Sequence, residues 1–65
     1  MSERILRGPE TDRKCGISRS QRYKLEAEGR FPARVRLTER SIGYLESELE
    51  AWISNRVRDS RGEAV

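Results

Sequence analysis

Apolar residues come in short bursts, and the spacing within each burst changes along the chain. Ile5-Leu6 is an apolar pair after a polar start. Two residues carry no period, so the pair is a strand or a simple cover for the core. Gly8-Pro9-Glu10 signals a helix start. Proline suits the first helical turn, where its missing N–H would be unpaired anyway, and Glu10 and Asp12 favour the positive helix end. The pattern predicts a helix over 9–15, stopped by Gly16, with only Cys15 and the methyl of Thr11 to bury. Ile17 is an apolar pin. Ser18 is a good N-cap for a second helix over 19–28, which would turn Tyr23, Leu25 and Ala27 inward and end at Gly29. Helix, tight turn, helix is the shape of a helix-turn-helix.

The period changes at Phe31-Pro32. Val35 and Leu37 alternate with Arg34, Arg36 and Thr38, as in a half-buried strand. The segment 38–41 is turn-like, and Ile42-Gly43-Tyr44-Leu45 resumes an apolar strand, which predicts a ribbon over 34–44. Gly43 inside it marks a bulge or a close backbone approach. Ser47-Glu48-Leu49-Glu50 has the form of a capping box for a last helix, whose stripe is Leu49, Trp52, Ile53 and Val57. From Asp59 the sequence reads as a tail, giving one domain over 1–58 and a flexible 59–65. The expected fold is mostly α with a small β-ribbon, ordered helix, helix, ribbon, helix. Its expected core is Ile5, Leu6, Ile17, Leu25, Phe31, Val35, Leu37, Ile42, Tyr44, Leu45, Leu49, Trp52, Ile53 and Val57.

Composition narrows the chemistry. With 65 residues, the chain has room for one small domain. Histidine is absent and Cys15 is the single cysteine. No catalytic triad, Cys–His couple or structural zinc site can be assembled from this set, so no enzyme, cofactor, metal or small-molecule substrate is expected. One cysteine forms no internal disulfide, which fits a reducing compartment. No apolar run approaches the ~18 residues of a membrane helix, and the charged N-terminal stretch has no signal-peptide pattern, so the expected setting is cytoplasmic.

Charge changes the picture more. The net charge is +3, but it is unevenly placed. Residues 13–40 carry nine cations, seven of them Arg, against three acids, a net of +6; residues 1–12 sum to −1 and 41–65 to −2. An arginine-rich middle between acidic ends is an electrostatic footprint for a polyanion. The second helix would present Ser18, Arg19, Ser20, Gln21, Arg22 and Lys24 outward, with no acid before Glu26. An α-helix fits the major groove of B-DNA. Arg19 or Arg22 suits guanine, Gln21 suits adenine, and Ser18 and Ser20 suit phosphates. Tyr23 either meets the DNA backbone or closes the core. Arg34, Arg36 and Arg40 would make the ribbon a wing over the backbone or minor groove. Arg30 either meets DNA or pairs with an acid near the last helix, and Arg58 and Arg61 read as solvated.

From Arg4 to about Arg58 the sequence resembles the AlpA family of phage and prophage regulators, related to excisionases and MerR-like winged helix-turn-helix domains. The resemblance is carried by Pro9-Glu10, Gly16-Ile17-Ser18-Arg19-Ser20, Tyr23, Glu28-Gly29-Arg30-Phe31-Pro32, and the block from Gly43 to Ile53. It implies a transcriptional regulator that binds double-stranded DNA in a sequence-specific way; the small DNA interface of one such module and the lack of coiled-coil heptads point to other copies of itself beside it on DNA. Two alternatives are a recombination directionality factor that bends attachment-site DNA, and a protein-interaction module without DNA. There are two departures from the family pattern. Arg22 replaces an aliphatic residue, which either adds a DNA contact or loosens the helix seat. Thr11 and Asp12 replace apolar residues of the first helix. Together they imply a less stable domain or a partner over the first helix.

Overall fold

The computed structural model describes residues 3–62. The element order is β1 (Ile5–Leu6), α1 (Gly8–Cys15), α2 (Arg19–Ala27), β2 (Val35–Arg36), β3 (Ile42–Leu45) and α3 (Glu46–Arg61). The three strands form an antiparallel sheet in the order β1-β3-β2, with Leu6 opposite Tyr44 and Val35 opposite Gly43. The ribbon therefore has a third strand, since Ile5-Leu6 adds to its edge. With α1 and α2 joined by a short turn and the β2–β3 hairpin projecting beside them, the architecture is a small winged helix-turn-helix.

Local chemistry explains the boundaries. Gly16 adopts φ 70°, and its N–H and that of Ile17 both reach the Asp12 carbonyl, closing α1. Ser18 caps α2 in a reciprocal box: its Oγ accepts from the Gln21 N–H, and the Gln21 side chain accepts from the Ser18 N–H. The capping box read at Ser47–Glu50 is not formed. Helix α3 starts two residues earlier than that box implies, at Glu46, with Leu45 as a cap that offers no side-chain acceptor. The N-terminal segment supplies the cap instead. The Glu46 N–H donates to the Arg4 carbonyl, and the Glu3 carboxylate accepts from the Ser47 N–H at 3.2 Å and its Oγ–H at 2.8 Å. Those bonds to Ser47 hold the Glu3 carboxyl below the usual carboxylate range. Asp59, Ser60 and Arg61, read as the start of a tail, complete the last turn of α3 before Gly62; residues 63–65 lie outside the described part.

Leu6, Phe31, Tyr44 and Leu49 form the buried core, with Cys15, Ile17, Leu25, Ile42 and Trp52 packed partly against it. Phe31 meets Tyr44 and Trp52 edge to face, at 5.5 and 5.1 Å between ring centres. The Trp52 indole N–H donates to the Arg30 carbonyl at 2.9 Å. Ile5, Leu37 and Val57, expected in the core, are each 39% exposed, and Ala27 is exposed. Val57 lies on turns of α3 that run past the sheet. Ile5 and Leu37 lean over Gly43 from the flanking strands. A Cβ on Gly43 would sit 2.5 Å from Ile5 Cγ2 and 3.1 Å from the Leu6 carbonyl oxygen, so this glycine marks a close approach and not a bulge. Among the described residues, no helix is long and apolar enough to cross a membrane.

Candidate nucleic-acid interface

Helix α2 sits on the rest of the molecule through Leu25, packed against the core, and through polar groups. Arg22, expected on the outer face, points inward and is 4% exposed. Its Nε and Nη2 donate to the two Asp12 carboxylate oxygens, and its Nη1 donates to the Tyr44 hydroxyl at 2.9 Å. Burial opposes its charge, but the Asp12 and Tyr44 bonds outweigh burial and raise its pKa above the ordinary value. Buried, with each of its three nitrogens bonded within the fold, Arg22 is not presented to a base. Its position was legible, because it lies three residues before half-buried Leu25 and so on the same helix face. Two of the residues read as departures from the family pattern meet here, in an ion pair that joins α1 to α2. Thr11, fully buried beside it, donates its hydroxyl to the Leu6 carbonyl at 3.5 Å.

One turn on, Glu26 is also drawn inward. Arg34 grips it with two bonds, at 3.1 and 2.7 Å. Burial alone would raise the Glu26 carboxyl; the bonds from Arg34 and Tyr44 overcome it and hold the carboxyl low. Tyr44 is raised by its own burial and by Glu26. The first acid of α2 is thus neutralised within the fold, together with the charge of Arg34.

What remains outward on α2 is Ser18, Arg19, Ser20, Gln21, Tyr23 and Lys24, all exposed. The facing oxygens of Ser18 and Gln21 accept bonds in the cap, which leaves the Ser18 hydroxyl proton and the Gln21 amide N–H groups as donors beside those of Arg19, Ser20 and Lys24. Tyr23, at 42% exposure, is not a core residue. The guanidinium carbons of Arg19, Arg22 and Arg34 lie 5.4, 5.0 and 5.6 Å from its ring centre. The Arg19 guanidinium lowers its phenol pKa, with Arg22 and Arg34 acting the same way.

The wing tip turns at 38–41, where the Leu37 and Thr38 N–H groups both donate to the Ser41 carbonyl. Arg36 and Arg40 are exposed on it, and Arg36 Nη1 reaches only the Glu39 carbonyl, at 3.5 Å. Arg30 pairs with its neighbour Glu28 at 3.7 Å, not with an acid of the last helix. Glu46 and Glu50 of α3 each pair with Lys14 at 3.6 Å. Arg19 of α2 and Arg40 of the wing line one hollow together with Tyr23.

Residues 4–57 match the family model described as prophage CP4-57 regulatory protein (AlpA). The chain is 44% identical over 55 residues to the uncharacterized protein ORF88 of Enterobacteria phage P4, a match covering 85% of this chain and 62% of that protein. The chain thus spans about three-fifths of the length of this curated relative. No solved structure matches the chain. A family match over nearly the whole helix-turn-helix and wing, on a fold of that type, means that the chain belongs to the AlpA family of prophage regulatory proteins.

Proposed function

We propose that this chain is a sequence-specific, double-stranded DNA-binding transcriptional regulator of a prophage or mobile element. Helix α2 enters the major groove, and the hairpin over 34–44 lies as a wing on the adjoining backbone or minor groove. The observation that carries this reading is the outward face of α2. Arg19, Ser20 and Lys24 are free on it, and the first acid of that helix is turned inward and bound by Arg34. Arginine matches a guanine edge with two parallel bonds, and residues near the start of a groove-bound helix reach base edges. Arg36 and Arg40, on a hairpin tip without such access, suit phosphates.

Binding of labelled duplex DNA across a salt series tests this. Arg19, Lys24, Arg36 and Arg40 as phosphate or base-edge ligands predict a log–log slope of about −3 to −4, since each neutralised phosphate adds about −0.9. A slope near zero, or no binding at low salt by a folded chain, would contradict the reading and favour an interaction module.

A further inference from the structure

Between the start of α1, the outward face of α2 and the wing tip lies a hollow of about 300 Å³. Arg7, Arg19 and Arg40 line it from three separate stretches of the chain, with Tyr23 between them. Among the described residues none of these three is in an ion pair, whereas Arg4, Lys14, Arg22, Arg30 and Arg34 all are. Asp12 also lines the hollow, but both its oxygens are held by Arg22. The three cations therefore face one space with no free acid to offset their repulsion, an arrangement that favours a bound anion. The wall at Gly8 and Pro9 is the start of α1, which has no side-chain cap. A Cβ on Gly8 would sit 2.9 Å from Arg22 Nη2, so the Arg22 guanidinium packs directly against the start of α1. Arginine forks match the oxygens of a phosphate group.

We propose that this hollow seats one backbone phosphate of the DNA duplex, on the strand that runs between the groove entered by α2 and the groove covered by the wing. Neighbouring grooves are separated by a single sugar–phosphate ridge. A helix in one groove and a wing on the next must straddle it, and the hollow lies between the two. The assignment rests on the DNA-binding reading and adds Arg7, a residue outside both α2 and the wing, as a phosphate ligand beside Arg40, while in the complex the Arg19 fork is left for a base edge.

The test compares the whole chain with Arg7→Ala and with Arg61→Ala, which removes the same charge far from the hollow. Each is titrated into a labelled random-sequence duplex at several salt concentrations. Thermal melting confirms that each variant is folded. Arg7→Ala is expected to weaken binding several-fold on every sequence and to flatten the salt slope by about 0.9, while Arg61→Ala changes neither. Arg7→Lys is expected to restore the slope. In parallel, inorganic phosphate is titrated against the arginine Nε–H resonances of the free protein. If Arg7→Ala and Arg61→Ala are indistinguishable while the wild-type chain binds duplex, the seat is overturned and the DNA-binding reading stands. If the duplex slope is also unmoved but phosphate shifts Arg7, Arg19 and Arg40 saturably, the hollow takes a free phosphate and the backbone assignment is overturned. If the folded wild-type chain binds no duplex at low salt, the DNA-binding reading fails and the seat falls with it.

Discussion

At the scale of single residues, Arg22 sets the character of this domain. A buried ion pair gives little net stability compared with apolar packing, but removing one partner leaves the other charge stranded. Asp12 retains 17% side-chain exposure, so the loss expected for Arg22→Ala is at the low end, about 3 kcal/mol. A domain this short has only a few kcal/mol in total, on the order of 0.05–0.15 per residue, so that variant is expected to be largely unfolded. The double variant Asp12→Leu with Arg22→Met removes both charges and is expected to refold. Tyr44→Phe is milder. It takes away only the hydroxyl that accepts from Arg22 Nη1 in a fully buried position, at an expected cost of about 1–3 kcal/mol. Urea unfolding checks the series, with the midpoint of Tyr44→Phe shifted down at unchanged slope. An unchanged midpoint would mean that the Arg22–Tyr44 bond contributes nothing.

Elements are tied to one another by pairs of this kind. The Glu26–Arg34 grip fastens α2 to the residue that leads into β2, so it fixes the wing relative to the helix. The Glu26 carboxyl has a lowered pKa in the folded chain. Its contribution is therefore present above the unfolded value, near 4.3, and is lost as pH falls through the lower folded value. Arg34 is 44% exposed at its side chain, so solvent screens the pair and its worth is about 1 kcal/mol or less. Glu26→Gln is expected to lower stability at neutral pH and to flatten its decline between about pH 5 and pH 3, measured by urea midpoints across that range. A decline as steep as in the wild-type chain would place the acid sensitivity elsewhere.

Helix starts set by neighbouring residues were legible in the sequence, as at Pro9 and at Ser18, where cap and partner lie within one turn. The start of α3 was not. Ser47–Glu50 has the composition of a capping box, yet its acceptor is Glu3, 44 positions away in sequence. No local pattern encodes such a partner. β1 was undecided for a related reason, since a two-residue strand has no period and is defined only by pairing with β3. Arg22 was misplaced because a cation is ordinarily read as a surface residue. Its spacing from Leu25, and an acid replacing an apolar residue in α1, were the signals that it had turned inward.

Across the whole molecule, the pairing of charges decides which surface remains active. Lys14 is neutralised by α3 and Arg30 by Glu28, while Arg22 and Arg34 are consumed within the fold. The +6 of the middle segment is therefore larger than the charge available to a ligand, and among the described residues its unpaired cations are Arg13 on α1, Arg19 and Lys24 on α2, and Arg36 and Arg40 on the wing. The ten residues read from the sequence as one interface divide accordingly. In the proposed DNA complex, Arg19, Ser20 and Lys24 read bases, and Arg36 and Arg40 hold phosphates. Ser18 and Gln21 shape the helix start, and Tyr23 stacks against guanidinium groups. Arg22 and Arg34 hold the two reading elements in place.

Selection of binding sites from random duplex DNA at ~0.15 M salt, where exposed-charge attraction is already well screened, tests the central claim most directly. The wild-type chain is expected to enrich a defined motif, and Arg19→Ala is expected to lose preference at a base pair of that motif, a change worth about 1–3 kcal/mol. Absence of any enriched motif, or an identical motif from Arg19→Ala, would contradict base reading by α2.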